Sequence, residues 1–217
     1  MLYLFDMDGT LIDSNGIWKD VDSAFLARRG LPYTQEYYEG VAHTIFPLAA
    51  KFTKEFCQLP ESEEAIMAEW MDLAQGLYAN IPVKPGVRDY LRQCRARGIR
   101  MAVVTSSVPE HCRTALSHLQ LLPFFERITF AQELGVEKKD PALWLRAAEL
   151  AGVAPEECTI FDDSIAACRG AHAAGMRTVG IYDPYFAGEE TAMRDFCDEY
   201  IRSFRELLEP RNCLDLA

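Results

Sequence analysis

The sequence predicts an α/β protein in which helices cover both faces of a parallel sheet and a further lobe of helices is inserted. Short, nearly continuous apolar runs have the composition of strands that are buried on both faces. Helical patterns separate most of these runs, and this alternation implies right-handed crossovers between parallel strands. One long stretch after the first run carries helical patterns only. We therefore expect residues 1–14 and 82–217 to form a Rossmann-like core and residues 15–81 to form an all-helical cap.

Five apolar runs predict the strands of the core. Each is short and bounded by polar or turn-forming residues, as expected for strands in a covered parallel sheet. The runs are LYLF (2–5), RMAVV (100–104), RITFA (127–131), CTIF (158–161) and RTVGIY (177–182).

Four amphipathic patterns predict the helices that connect these strands. Ser107 lies just before the second pattern and has the spacing of a capping box with Glu110 inside it. This spacing places a helix start just after Thr105. The patterns are DYLRQCRARG (89–98), PEHCRTALSHLQ (109–120), PALWLRAAELAG (141–152) and IAACRGAHAAG (165–175).

The inserted stretch predicts three helices and no strand. Ser62 is the expected N-cap of the third helix, and IPVKPGV (81–87) forms a turn back into the core. We expect Trp18, Trp70 and the tyrosines of YTQEYYEG to pack within this lobe, with one or two of them lining a substrate pocket. The helical patterns are IWKDVDSAFLARRG (17–30), FPLAAKFTKEFC (46–57) and SEEAIMAEWMDLAQGLYAN (62–80).

Composition excludes several classes of protein. No apolar run approaches the ~18 residues that span a bilayer, and the N-terminus lacks the pattern of a signal peptide. We therefore expect a cytoplasmic protein that has no membrane partner. The net charge of −11, without a basic stripe, disfavours nucleic acid as a partner. The seven cysteines are widely spread and include no CxxC pair, which favours reduced thiols.

Polar side chains follow three of the predicted strands at the point where each strand ends. In an open parallel sheet this edge is where ligands bind. A lysine pair also precedes the helix that leads into the fourth strand. These residues are Asp6 and Asp8 after the first strand, Thr105, Ser106 and Ser107 after the second, Asp162 and Asp163 after the fourth, and the pair Lys138 and Lys139.

The carboxylates in this set predict a magnesium-bound phosphate site. Acids held close together repel each other, and a hard divalent cation such as Mg²⁺ removes that conflict by binding their oxygens. A lysine, a hydroxyl and the N–H groups at a helix start can hold the oxygens of a phosphate. Of two acids at one strand end, one can attack phosphorus while the other transfers protons.

Four segments, in order, resemble the motifs of the haloacid dehalogenase-like hydrolases. The resemblance is to the branch with a helical cap after the first motif, as in β-phosphoglucomutase and phosphoglycolate phosphatase. It covers about two-thirds of the chain, and it extends to the cap only in placement and helical character. The segments are DMDGTLIDS (6–14), VVTSS (103–107), EKKDP (137–141) and TIFDDSIAACRGAHAAGM (159–176).

This resemblance implies a role for each candidate residue. Counting back from Pro141 selects Lys138 as the lysine that ties phosphate to the nucleophile, with Lys139 as the alternative. The implied roles are Asp6 as nucleophile, Asp8 as acid and base, Thr105, Ser106 and Lys138 as phosphate ligands, and Asp6, Asp8, Asp163 and Asp162 as the Mg²⁺ site, with Asp8 contributing its backbone carbonyl.

The expected function is therefore a Mg²⁺-dependent phosphomonoester hydrolase that acts on a small phosphorylated metabolite, such as a sugar phosphate. A phosphosugar mutase is the alternative, since it uses the same core. The cap stretch EGVAHTIFPLAAKF (39–52) weakens that alternative, because it lacks the arginine with which β-phosphoglucomutase-like caps bind a second phosphate, and neither His43 nor Lys51 replaces it. A third hypothesis is a non-catalytic sensor of a phosphorylated ligand.

Overall fold

Six parallel strands form one sheet in the order β3-β2-β1-β4-β5-β6. The structure is a computed structural model that describes residues 1–42, 44–78 and 81–208. All five predicted strands are confirmed, and the last edge strand, of three residues, was not predicted. The strands are β1 (Leu2–Phe5), β2 (Arg100–Thr105), β3 (Ile128–Phe130), β4 (Cys158–Asp162), β5 (Arg177–Ile181) and β6 (Glu199–Ile201).

Both faces of the central strand are buried, which explains its unbroken apolar sequence. Leu2 and Leu4 of β1 belong to the hydrophobic cluster on one face of the sheet. Phe5 belongs to the cluster on the other face, where its ring stacks on that of Phe161 with centroids 4.5 Å apart. Alternate residues of a strand point to opposite faces, so four residues supply both clusters.

Four helices follow β1 and form what we call the helical insertion. All three predicted helices are present, although residues 79 and 80 of the last one lie outside the described chain. The additional helix has Thr34 as its N-cap, whose hydroxyl accepts a hydrogen bond from the Tyr37 amide. The helices are α1 (Asn15–Ala27), α2 (Gln35–Val41), α3 (Phe46–Cys57) and α4 (Glu63–Tyr78).

The remaining helices cover the sheet. No helix in the described part of the chain is long and apolar enough to cross a membrane. The helices of the core are α5 (Val87–Ala96), α6 (Pro109–His118), α7 (Ala131–Leu134), α8 (Pro141–Ala151), α9 (Ile165–Ala173) and α10 (Glu190–Phe196). Short 3₁₀ turns are Leu122–Phe124, Pro155–Glu157, Pro184–Glu189 and Phe204–Leu207.

Two of the predicted caps can be compared with the structure. Ser62 does cap α4, since its hydroxyl accepts a hydrogen bond from the Ala65 amide at 3.2 Å. The predicted capping box at Ser107 is wrong, because α6 begins at Pro109 with Val108 at its N-cap and no side chain caps it. The Ser107 amide instead donates to the hydroxyl of Thr105 at 3.0 Å.

The two segments that join the insertion to the core lie side by side. The Asp13 amide donates to the Pro82 carbonyl and the Lys84 amide donates to the Leu11 carbonyl, both at 3.0 Å. The chain therefore leaves the sheet and returns to it at one place, next to the end of β1.

Candidate active site

The end of β1 is the topological switch point of the sheet. The strands on its two sides, β2 and β4, both pair with it directly. The carboxyl ends of these three strands deliver Asp6, Thr105 and Asp162 to one place, and the Asp6 amide donates to the Phe161 carbonyl at 2.9 Å. A crevice at such a point is where open α/β sheets bind their ligands.

Three carboxylates meet at this edge. Asp6, Asp162 and Asp163 are buried, and one oxygen from each lies within 4.8 Å of the others. Asp8 is half-buried beside them, and one of its carboxylate oxygens accepts a hydrogen bond from the Ser14 hydroxyl at 2.6 Å. The structure therefore brings together all four acids that the sequence nominates.

Lys138 is the cation of this cluster. Its Nζ lies 2.5 Å from Asp6 Oδ1 and 2.9 Å from Asp162 Oδ2. Lys139 points elsewhere, because its ammonium is largely exposed and pairs with Glu137 at 2.6 Å. The structure thus brings Lys138, and not its neighbour, to the carboxylates.

Two contacts that sequence reasoning missed fix the backbone of Lys138. The indole Nε1–H of buried Trp144 donates to the Lys138 carbonyl at 2.7 Å. Helix α9 also approaches closely, since a Cβ at Gly170 would lie 2.2 Å from that same carbonyl oxygen. Trp144 lies on the buried face of its helix, and its indole N–H thus has a role beyond packing.

Asp163 is held from the loop after β1 and from the helical insertion. Its Oδ2 accepts a hydrogen bond from Asn15 Nδ2 at 2.7 Å, and its Oδ1 accepts from the Thr10 hydroxyl at 3.3 Å. Gly9 has a φ of +75°, and a Cβ there would lie 2.1 Å from Asp163 Oδ2. Glycine is therefore required at position 9 both for its left-handed backbone and for this close approach.

The electrostatics of the cluster show an excess of negative charge. Burial, followed by the nearby Asp162 and Asp183, raises the pKa of Asp163 to about 7. The pKa of Asp6 is also raised, chiefly by burial and then by the other carboxylates, although Lys138 lowers it. Burial works against the charge of Lys138, but Asp162 and Asp6 raise its pKa above the ordinary value. The lysine therefore stays charged while the acids lack a full counter-charge.

This donor set fits a hard metal ion. Every group in the cluster of Asp6, Asp162 and Asp163 is a carboxylate, and oxygen ligands are those that Mg²⁺ and similar cations prefer. A divalent cation would also relieve the repulsion that raises the pKa values of these acids.

The end of β2 supplies hydroxyl and amide groups next to the acids. Thr105 is buried, and its oxygen already accepts a hydrogen bond from the Ser107 amide. No acceptor for its hydroxyl proton lies among the described residues, so this one donor can bind a ligand. Ser106 and Ser107 line the same cavity.

The cavity has a volume of about 190 Å³ and lies between the sheet edge and the helical insertion. Besides the hydrogen bond from Asn15 to Asp163, two further hydrogen bonds link the insertion to the core beside the cavity. The hydroxyls of Tyr33 and Tyr185 lie 3.0 Å apart, and the Thr44 hydroxyl donates to Glu137 at 2.7 Å. The insertion contributes a largely aromatic wall, in which Trp18, Asp22, Tyr38, Phe46 and Trp70 line the cavity.

Some of these residues escaped prediction. Ser14 and Asn15 follow directly on DMDGTLID, and their polar side chains at a helix start were the available signal. Asp22 lies on the buried face of α1 with Val21, Phe25 and Leu26. The available signal was an acidic residue at a position where the helical pattern calls for an apolar one. Trp18, Trp70 and Tyr38 all line the pocket, whereas only one or two of the aromatic residues of the insertion were expected there. Lys51 is exposed, and His43 lies outside the described residues.

A doubly wound sheet whose switch point gathers buried acids and a lysine defines an α/β enzyme. Comparison with known families identifies which enzyme family this is. The sequence model of the haloacid dehalogenase-like hydrolases matches residues 1–175, and the chain belongs to that family.

Individual relatives agree with this assignment. The chain is 30% identical to a phosphoglycolate phosphatase of Pseudomonas putida over 193 residues. The matched region covers 86% of this chain and 71% of the relative. The chain is 24% identical over 177 residues to a phosphorylated carbohydrates phosphatase of Thermotoga maritima, covering 81% of this chain and 82% of the relative. Among solved structures, CbbY from Rhodobacter sphaeroides in complex with phosphate superposes with a TM-score of 0.81 at 23% identity, covering 95% of each chain.

Proposed function

We propose that the protein is a cytoplasmic, Mg²⁺-dependent phosphomonoester hydrolase that works through an aspartyl-phosphate on Asp6. The observation that carries this proposal is the position of Lys138 Nζ, 2.5 Å from the Asp6 carboxylate at the switch point of the sheet. A lysine there lowers the pKa of the nucleophile, against the burial that raises it, and lies where the oxygens of a bound phosphate would be. The phosphatase names of the relatives support the same reaction class.

The Mg²⁺ ion would be held by Asp6 and Asp163, together with the backbone carbonyl of Asp8. When bound, it would supply positive charge to the phosphate oxygens and to the acids around it. Asp162 is engaged differently, since its Oδ2 binds Lys138 and its Oδ1 accepts a hydrogen bond from the Ser164 amide at 3.0 Å. We therefore assign Asp162 mainly to positioning the lysine beside the metal site.

The first half of the reaction is a transfer of the phosphoryl group to the enzyme. A carboxylate oxygen of Asp6 forms a bond to phosphorus while the bond from phosphorus to the ester oxygen breaks. Asp8, in its protonated form, gives its proton to that departing oxygen, so the alcohol leaves neutral. The Ser14 hydroxyl, at 2.6 Å from Asp8, holds the carboxyl in place for this step.

The second half returns the enzyme to its starting state. Asp8, now a carboxylate, takes a proton from a water molecule whose oxygen bonds to phosphorus. The bond between phosphorus and Asp6 breaks, inorganic phosphate is released, and Asp8 is protonated again for the next ester.

The phosphoryl oxygens would be held by the Thr105 hydroxyl, the Ser106 amide and Lys138. Each group is placed at the sheet edge before the substrate arrives, so little reorganisation is needed during the reaction. The helical insertion would act as a cap that opens to admit the ester and closes to exclude water. In that case the bonds from Tyr33 to Tyr185 and from Thr44 to Glu137 belong to the closed arrangement.

A hydrolase is favoured over the phosphosugar mutase. A mutase must hold a bisphosphate, whose second phosphate needs cationic side chains on the cap. Among the described residues that line the cavity, the insertion contributes no lysine or arginine.

The test is release of inorganic phosphate from a panel of small phosphate esters with Mg²⁺ and with excess EDTA. We expect turnover that EDTA suppresses and that added Mg²⁺ restores. Activity that persists in EDTA would rule out the metal role. Adding a sugar monophosphate with its bisphosphate separates the alternatives, because a mutase would yield isomerised sugar in place of phosphate.

The intermediate can be trapped directly. Borohydride added during turnover reduces an acyl phosphate, so Asp6 should become homoserine, and peptide mass spectrometry would locate the change. Turnover without modified Asp6 would indicate that water attacks phosphorus directly.

A further inference from the structure

Among the described residues of the insertion wall, one acid is buried. Asp22 is 8% exposed, and no described cation forms an ion pair with it. The Tyr37 hydroxyl donates to its Oδ1 at 3.3 Å and lies 3.0 Å from the Thr53 hydroxyl. No described residue donates to the other oxygen of Asp22. Burial raises the pKa of this carboxyl to about 7, as expected for a charge without a partner.

Trp70 is a second group in the same wall whose hydrogen-bonding capacity is unused. It is 2% exposed, and its Nε1–H has no acceptor among the described residues. Its ring is fixed by Phe25 and Phe46, with centroids at 5.6 and 5.4 Å. Buried indole N–H groups usually have a partner, so this donor indicates a ligand that supplies an oxygen.

Aromatic rings line the same cavity as Asp22. The insertion contributes several of them, and the core adds two from the 3₁₀ turn after β5. These rings belong to Trp18, Tyr38, Phe46, Trp70, Tyr185 and Phe186. The faces of such rings attract cations, by about 0.5–2 kcal/mol each when the cation is desolvated.

The two ends of the cavity therefore have opposite electrostatic preferences. Within the described lining, the only lysines are Lys138 and Lys139, and both belong to the core and pair with its carboxylates. A second anionic group on the substrate would face Asp22 with no cation near it. A cationic group would supply the counter-charge that the buried Asp22 lacks.

We propose that Asp22 determines substrate specificity and that the cavity accepts the phosphomonoester of an amino alcohol. The ammonium group lies against Asp22 among the aromatic rings, and a hydroxyl or carbonyl oxygen accepts the hydrogen bond of Trp70. This inference depends on the proposed phosphatase function, because it concerns the alcohol part of the same ester. The proposed specificity for an ammonium group distinguishes this chain from a phosphatase for phosphoglycolate, whose alcohol part carries a carboxylate.

The test compares esters that differ in charge but little in size. Phosphoethanolamine, 2-hydroxyethyl phosphate and phosphoglycolate form a cationic, neutral and anionic series, and glucosamine 6-phosphate with glucose 6-phosphate forms a longer pair. We expect kcat/KM for each amine to exceed that for its hydroxyl counterpart by about tenfold or more, with phosphoglycolate the poorest of the three. Equal values, or a preference for phosphoglycolate, would overturn the proposal.

The matched variants are Asp22→Asn and Asp20→Asn. Both lie on α1 and exchange a carboxyl group for an amide, but Asp20 is exposed. We expect the amine-to-hydroxyl ratio of kcat/KM to fall to near one in Asp22→Asn and to stay at the wild-type value in Asp20→Asn. An unchanged ratio in both variants would remove Asp22 from substrate recognition.

A wrong phosphatase function and a wrong substrate specificity give different results. If the phosphatase function is wrong, no ester in either series releases phosphate. If only the specificity inference is wrong, the esters are hydrolysed without a preference for the ammonium group. The wild-type series alone decides between these outcomes, even if Asp22→Asn does not fold.

Discussion

The two walls of the cavity differ in how completely their polar groups are paired. At the sheet edge, Lys138 binds both Asp6 and Asp162, and Asp163 accepts two hydrogen bonds. On the insertion wall, Asp22 lacks a cation and Trp70 lacks an acceptor among the described residues. We infer that the edge is organised for its reaction in advance, whereas the insertion wall awaits the alcohol part of the substrate.

The difference has a basis in the fold. The sheet edge is fixed by strand pairing, by the Trp144 hydrogen bond and by the close approach of Gly170. The insertion wall rests on helices joined to the core by two short linkers. Chemistry common to a family can thus be kept at the edge while specificity varies in the helices.

The largest expected effect is at the edge. Asp6→Asn removes the proposed nucleophile, and we expect kcat to fall on the order of 10⁴-fold while the fold is retained. Phosphate release and circular dichroism measure the two properties. Asp195→Asn, an exposed change on α10, is the matched control and should keep wild-type kcat. Near-normal turnover of Asp6→Asn would move the nucleophile elsewhere.

The second prediction separates the walls by their response to metal. Mg²⁺ at a hundred times its Kd should stabilise the wild-type protein by about 2.7 kcal/mol, measured as a rise in Tm. Asp163→Asn should lose most of this rise, because it removes a proposed ligand. Asp22→Asn, on the other wall, should retain it. An equal loss in both variants would contradict the placement of the metal at the sheet edge.

The third prediction applies one substitution to both regions. Gly170→Ala places a methyl group 2.2 Å from the Lys138 carbonyl oxygen, so we expect a loss of about 1–3 kcal/mol in the free energy of unfolding and a lower kcat. Gly16→Ala in α1 meets nothing within 4 Å and should stabilise by up to about 1 kcal/mol. Urea unfolding measures both. If Gly170→Ala were neutral, the packing of α9 would not hold the lysine.

The smallest expected effect concerns pH. The pKa of Asp22 is about 7 in the folded chain and 3.8 ordinarily, so the folded state binds more protons between these values. The contribution of Asp22 to the free energy of unfolding is therefore most favourable below pH 4 and is lost as pH rises towards 7. Asp22→Asn should stabilise more at pH 7.5 than at pH 5, by on the order of 2 kcal/mol in urea unfolding. A gain independent of pH would contradict the assigned pKa.

Much of the sheet edge was predictable from the sequence, because each strand and the acid that follows it are recognisable within a short stretch of chain. An apolar run followed by acids identifies β1 with Asp6 and β4 with Asp162, and parallel strands bring such ends together. The features that were missed depend on distant parts of the chain. Strand β6 has three residues and is specified by its pairing with β5.

The sequence predicted the residues of the insertion wall less completely than those of the sheet edge. The three longer helices of the insertion follow from periodicity, but the cavity position of Asp22 depends on how α1 packs against α4. The contact of Gly170 with the Lys138 loop likewise joins segments that are far apart in sequence. The capping box failed because Pro109 moved the helix start past Ser107.

The hydrogen bond from Asn15 to Asp163 has a wider consequence. Asn15 is the first residue of the insertion, whereas Asp163 belongs to the proposed magnesium site. Any rotation of the lobe that draws Asn15 away would remove this hydrogen bond from a proposed ligand of the ion, and thermodynamic reciprocity would then require ion binding to bias the lobe. Magnesium concentration would thus regulate access of the ester as well as its cleavage.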